Sequence, residues 1–230
     1  MNRFRGRLPK LSELYDRFVT DDPENFCRGF PARLRDEKSV TFAFYEKIEA
    51  WLSYIPESEW PYFTDKIKQT VFLCDRSRRR FWEQLHDVFN EALGVLLLRR
   101  DFGCEEVHFV RPKGACTPDL AGRRGPMTHY LEVKTINNSQ DERDSWYHEH
   151  ELNDTTLLPA ALKKKIQSSY LYAVSQLSAP EDANTARKIA LLVLNPDYNF
   201  DPTDKPIAEQ IGAYLGNIEQ PSFEMICHIM

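Results

Sequence analysis

Two carboxylates and an amine stand close enough in the chain to share one spot. Asp119 lies in TPDLAG (Thr117–Gly122), and Glu132 and Lys134 lie thirteen and fifteen residues later in YLEVKT (Tyr130–Thr135). Side chains alternate across a strand, so Glu132 and Lys134 project from one face while Val133 packs on the other. If a hairpin brings Asp119 beside Glu132, two negative charges meet, and they repel unless a cation sits between them. A hard divalent ion such as Mg²⁺ suits oxygen ligands and keeps some of its waters. A lysine beside it can hold or deprotonate a water for attack on phosphorus, so the chemistry implied is metal-assisted phosphodiester hydrolysis. The same residues also fit a plainer arrangement, a solvated strand face with a cross-strand ion pair.

The surrounding pattern supplies elements to position such a site. Phe81, Leu85, Val88, Phe89, Ala92, Leu93, Leu96 and Leu97 recur at helical spacing, with Asp75 or Ser77 as a cap and Gly103 as a stop. Three short strands follow at Glu106–Arg111, Thr117–Ala121 and His129–Thr135, the last two joined by a hairpin connection over Gly122–Pro126. Asn137–Asp154 is polar and without periodicity, the pattern of a loop or lid. A second long helix runs from Leu157 through Leu177, and Lys188–Leu194 (KIALLVL) reads as a strand buried on both faces. A short helix over Pro206–Leu215 and a strand over Phe223–Ile229 complete an α/β sandwich around a mixed sheet. The segment before this, residues 1–74, is a helical N-terminal extension. Leu8–Phe18 and Phe42–Tyr54 are its helical stretches, and Pro56 and Pro61 bracket a turn.

TPDLAG, YLEVKT and the αβββαβ order together resemble the PD-(D/E)xK, or restriction-endonuclease-like, nuclease superfamily, over residues 75–230. The resemblance implies a mixed central sheet flanked by helices. It implies that Asp119 and Glu132 ligate Mg²⁺ (with Mn²⁺ as a substitute), with the Val133 carbonyl completing the site, and that Lys134 serves the nucleophilic water. An acid from the preceding helix is also implied, and Glu83, Asp87 and Glu91 compete for it at four-residue spacing. FWEQLHDVFNEAL resembles relatives in which the acid follows an aromatic pair, which selects Asp87; Glu91 is the close second and Glu83 reads as a surface charge. The helix after the motif often contributes a Lys or Gln in the superfamily, and the resemblance offers Lys165 and Gln176 as nucleic-acid-binding candidates. Lys165 can meet a phosphate or support the site, or be an exposed lysine in a Lys-rich turn. Gln176 resembles a recurring family position without a chemistry fixed by the sequence.

Other groups carry less. Arg76, Arg78, Arg79 and Arg80 form a basic cluster, as do Lys163, Lys164 and Lys165, each able to meet phosphate or simply to solvate a helix end. His148-Glu149-His150 resembles a ligand pair but reads as surface, and Trp146 and Tyr147 beside it could stack on a base. No nucleotide-cradling glycine motif occurs.

Composition narrows the setting. The chain has 230 residues, 42% hydrophobic, with 30 basic and 35 acidic side chains and a formal net charge of −5. That charge gives no global basic field, so a nucleic-acid partner must be gripped locally or presented by another protein. No apolar run reaches membrane-spanning length. Five scattered cysteines without a Cys-x-x-Cys point to a reducing, cytoplasmic compartment. The expectation is a Mg²⁺-dependent nuclease acting on DNA, as a homodimer or with a partner protein. The alternatives are a non-catalytic nucleic-acid-binding or assembly module of the same fold and an RNA-directed nuclease.

Overall fold

The computed structural model describes residues 4–76, 81–112, 116–137, 160–180, 185–194, 205–218 and 222–229. It is a mixed α/β chain with a five-stranded sheet. Two compact units divide it. The first holds Met1–Gly103 with Val107–Phe109, and the second holds Cys104–Glu106 with Val110–Met230.

In the first unit, short α1 (Phe4–Arg7) leads into α2 (Pro9–Phe18), and short α3 (Phe30–Arg33) precedes α4 (Val40–Leu52) and α5 (Trp60–Thr70). Helix α6 (Glu83–Leu96) continues into a π-turn over Leu97–Asp101. Ser39 starts α4 by accepting from the Phe42 N–H at 3.1 Å. Pro61 lies in the first turn of α5, where a missing N–H costs nothing, so a helix begins where the sequence suggests only a turn. Asp75 does not cap α6. Its N-cap is Trp82, which makes no side-chain cap bond. Asp75 instead pairs backbone to backbone with Phe81, itself in the left-handed region at φ 45°; Ser77 lies outside the described residues. The buried face of α6, Leu85, Val88, Phe89, Ala92, Leu93 and Leu96, packs with α4 and α5, so α6 groups with the helices before it.

His86 of α6 is wrapped by aromatic rings: Phe26 at 5.9 Å, Phe44 at 5.9 Å and Phe89 at 6.0 Å. Desolvation first, and the Arg33 guanidinium second, lower its pKa to about 4. A folded value below the unfolded 6.5 means the unfolded chain binds the proton more readily. Stability from the neutral imidazole is therefore complete above pH 6.5 and is lost as pH falls towards 4. We expect the denaturation midpoint of this unit, followed through Trp51, Trp60 and Trp82, to drop across that window and to flatten in His86→Phe. An unchanged slope in the variant would assign the acid sensitivity to other groups.

The second unit carries strands β2 (Leu120–Arg124), β3 (Met127–Ile136), β4 (Arg187–Leu194) and β5 (Glu224–Ile229) in that spatial order, and β1 (Glu106–Phe109) falls mostly in the first unit, through Val107–Phe109. β2 and β3 form an antiparallel hairpin from Leu120↔Leu131 to Arg124↔Met127. Its turn is only Gly125-Pro126, with Gly125 at φ 56°, the sign that a two-residue hairpin turn needs at its first central position. Gly122, Arg123 and Arg124 are thus strand residues, whereas Thr117–Asp119 precede the strand. β3–β4 and β4–β5 pair in parallel, which requires crossovers, and α7 (Ala160–Leu177) and α8 (Lys205–Ile218) lie in the two connecting segments. One core cluster joins Ile166, Tyr170, Ala173 and Leu177 of α7 and Ile211 and Leu215 of α8 to Ala190, Leu192 and Leu194 of β4. Both helices therefore cover the sheet face that also carries Glu132 and Lys134. Residues Ile189 to Leu194 of β4 are all buried, as a continuous apolar run on a central strand demands. No helix among the described residues is long and apolar enough to cross a membrane.

Candidate functional site

The site forms where the β2–β3 ladder ends. The last backbone pair is Leu120↔Leu131, and β3 runs on through Ile136 beyond it. At the next step the partners change from backbone to side chain. The Asp119 N–H donates to Glu132 Oε2 at 3.1 Å, and the Val133 N–H donates to Asp119 Oδ2 at 2.8 Å. The Asp119 carbonyl accepts from the Val110 N–H at 2.9 Å. Asp119 is therefore fixed by its N–H, its carbonyl and one carboxylate oxygen, leaving Oδ1 as the oxygen not used in these bonds.

Glu132 is fully buried, with 0% of its surface exposed. Its Oε1 accepts from Lys134 Nζ, which reaches it along the same strand face. Burial above all, then the nearby Asp119 carboxylate, push the Glu132 carboxyl well above the ordinary range, to about 8; Lys134 and the Asp119 N–H offset only part of that. A buried carboxylate that one ammonium does not fully stabilise is what a further cation would stabilise. The donor set, Asp119, Glu132 and the Val133 carbonyl, is all oxygen and fits a hard ion such as Mg²⁺ or Mn²⁺. Among the described residues no group of three or more acidic, His or Cys side chains gathers at one point, so these residues supply two side-chain ligands of such a site.

Helix α7 closes over this spot. Gln176 Nε2 donates to the Thr117 carbonyl at 3.2 Å, so α7 steadies the segment that delivers Asp119. Gln176 Oε1 is buried with no hydrogen-bond partner among the described residues. Lys165 Nζ donates to the Asn137 carbonyl at 3.0 Å, just beyond the end of β3. Both side chains thus bind the protein's own backbone near the motif strands. The Lys134 ammonium also lies 4.6 Å from the centre of the Tyr172 ring, a cation–π contact. Sequence reasoning missed Tyr172. Its signal was position: it falls off the apolar stripe of Ile166, Tyr170, Ala173 and Leu177, where an aromatic has no core to enter.

The second unit by itself brings together Asp119, Glu132, Lys134 and Gln176. Asp87 and Glu91 belong to the first unit. Glu91 is part-buried there in an ion pair with Lys66 of α5, and Asp87 is half-buried on α6 with Oδ1 shielded from solvent. Arg76 bonds Glu24 Oε1 at 2.9 Å, while Arg78, Arg79 and Arg80 lie outside the described residues. Trp146, Tyr147 and His148 to His150 lie outside them as well, with nearly all of the expected lid. All five cysteines are free thiols, and burial pushes those of Cys27 and Cys227 up to about 12. No family model, curated protein or solved structure matches the chain.

Proposed function

We propose that this chain is a divalent-metal-dependent nuclease with a restriction-endonuclease-like PD-(D/E)xK core, hydrolysing phosphodiester bonds in DNA. One observation carries the reading: at the end of the β2–β3 ladder a buried Glu132 carboxylate bonds both the Asp119 backbone and the Lys134 ammonium. Asp119 and Glu132, with the Val133 carbonyl, would hold Mg²⁺ or Mn²⁺. Such an ion, when bound, neutralises charge on the scissile phosphate and makes a bound water more acidic. Lys134, once off Glu132 Oε1 and with its own proton given up to solvent, would hold the attacking water as a neutral amine and take up its proton. Asp119, pinned by Val133 and Val110, needs no reorganisation before it binds a cation. Gln176 keeps that segment in register from α7. The proposal rests on the second unit alone.

A second reading, a non-catalytic binding or assembly module, draws on the same ion pair, because Lys134 already occupies Glu132. Calorimetric titration separates the two. Mg²⁺ or Mn²⁺ should bind the wild-type chain and not Asp119→Ala. Single-stranded DNA, duplex DNA and RNA should then be offered with Mg²⁺ and with EDTA. Cleavage that needs the ion supports the nuclease; no metal binding together with no cleavage of any substrate leaves the binding module.

A further inference from the structure

The face of α7 turned to solvent carries a pattern that the fold does not use. Lys164, Ser168 and Tyr172 follow one another at four-residue steps, and all three are exposed. Residues so spaced lie in one row along a helix. Among the described residues of the second unit, the exposed large apolar side chains are Met127, Leu171 and Tyr172, and two of these are neighbours on this face. Tyr172 is 56% exposed, yet its ring rests against the Lys134 ammonium that the proposed chemistry uses. An exposed π-face touching a cation suits a ligand with both a flat ring and an adjoining anion. A nucleotide is such a ligand: the base stacks on the ring and its phosphate meets the ammonium.

We propose that the Lys164–Ser168–Tyr172 row is a track for an unpaired nucleic-acid strand, with Tyr172 stacking on a base beside the scissile phosphate. The inference rests on the nuclease reading and narrows its substrate to strands with unstacked bases: single strands, or the frayed ends and flaps of duplexes. Bases inside an intact duplex are stacked on one another and cannot offer a face to Tyr172. Lys164 lies about 12 Å from Tyr172 along the helix axis, and so meets a phosphate beyond the stacked nucleotide. Ser168, whose hydroxyl donates to the Lys165 carbonyl at 3.0 Å, lies between them as a small residue that leaves the track open.

The test is fluorescence anisotropy in EDTA, where nothing is cut, with a labelled single-stranded 12-mer and a blunt duplex, on the full chain. Tyr172→Ala should weaken single-strand binding roughly 5- to 100-fold, Tyr172→Phe should keep it, and the duplex should bind both variants as it binds wild type. Moving one abasic nucleotide through the strand should find a position that costs wild type the same factor and costs Tyr172→Ala nothing more. Lys164→Ala should weaken every strand alike and reduce the salt slope by about 0.7. Unchanged single-strand binding by Tyr172→Ala, an equal loss on duplex and abasic strands, or no single-strand binding by wild type would overturn the track. Failure of the nuclease reading looks different: intact stacking on the abasic scan with no Mg²⁺-dependent cleavage of the same strand.

Discussion

If the chain is the nuclease proposed above, Lys134→Ala is expected to lose cleavage by about 10²- to 10⁴-fold, the range of a missing general acid–base group, and to keep its fold. The side chain is 21% exposed, and its polar and ring partners among the described residues are Glu132 Oε1 and Tyr172. Removing the ammonium leaves Glu132 with less compensation, and its carboxyl meets that loss by staying protonated instead of unfolding the sheet. Lys134→Arg is the sharper variant. It restores a positive charge beside Glu132, but a guanidinium does not give up its proton, so activity stays lost if Lys134 handles the proton and returns if it serves only as a charge. The Glu132 carboxyl also sets a pH dependence. Its folded pKa, about 8, lies above the unfolded 4.5, so the metal-free fold is most stable below pH 4.5 as far as this group is concerned and loses that contribution as pH rises towards 8. A ligating carboxylate must be charged, so cleavage at limiting Mg²⁺ rises over the same interval. Turnover of a labelled strand by wild type and both variants, with circular dichroism for the fold, checks these outcomes. Wild-type rates in Lys134→Ala would refute the assignment.

Glu49→Ala is expected to destabilise the first unit more than any surface change. Leu8, the N-cap of α2, makes no side-chain cap bond, and Pro9 follows it. The next two N–H groups, of Lys10 and Leu11, donate instead to Glu49 Oε1 at 2.8 Å and Oε2 at 2.9 Å, from α4. One buried carboxylate thus caps a helix thirty-eight residues away and satisfies both donors. Burial raises its pKa, and the two N–H groups and Lys10 pull the other way. Alanine leaves both donors unsatisfied at about 1–3 kcal/mol each, a loss of roughly 2–6 kcal/mol. At about 2–4 °C per kcal/mol for a chain of this size, the thermal midpoint falls by roughly 4–24 °C. Glu49→Gln retains one acceptor and recovers about half. A scanning-calorimetry shift under 2 °C for Glu49→Ala would show that water satisfies these groups.

Legibility followed the range of the interaction. β4 could be read because an unbroken run of apolar β-formers has one use, burial on both faces. The β2–β3 hairpin was visible in outline, but its bounds moved. Gly122-Arg123-Arg124 reads as turn by composition, whereas cross-strand pairing holds it as strand and leaves only Gly125-Pro126 to turn. Helix α5 was not visible, because a proline early in a segment suggests a break unless it falls in the first turn. Arg123, exposed on β2, bonds the Gly125 carbonyl at 3.0 Å, a contact set by the hairpin's curvature and by no motif.

By itself, the sequence determined that Asp119, Glu132 and Lys134 have the types and spacing to meet. Strand alternation put Glu132 and Lys134 on one face, and periodicity placed α7 after them. Only the tertiary structure decided how they meet. The ladder stops at Leu120↔Leu131, so Asp119 offers a carboxylate oxygen to Val133 where a strand would offer a carbonyl. Burial of Glu132, the ring of Tyr172 over Lys134, the hold of Gln176 on Thr117 and the cap that Glu49 places on α2 belong to the same class. The reason is physical: local sequence sets backbone propensity and the face a side chain occupies. Desolvation and the partners of buried polar groups depend on atoms that arrive from distant parts of the chain.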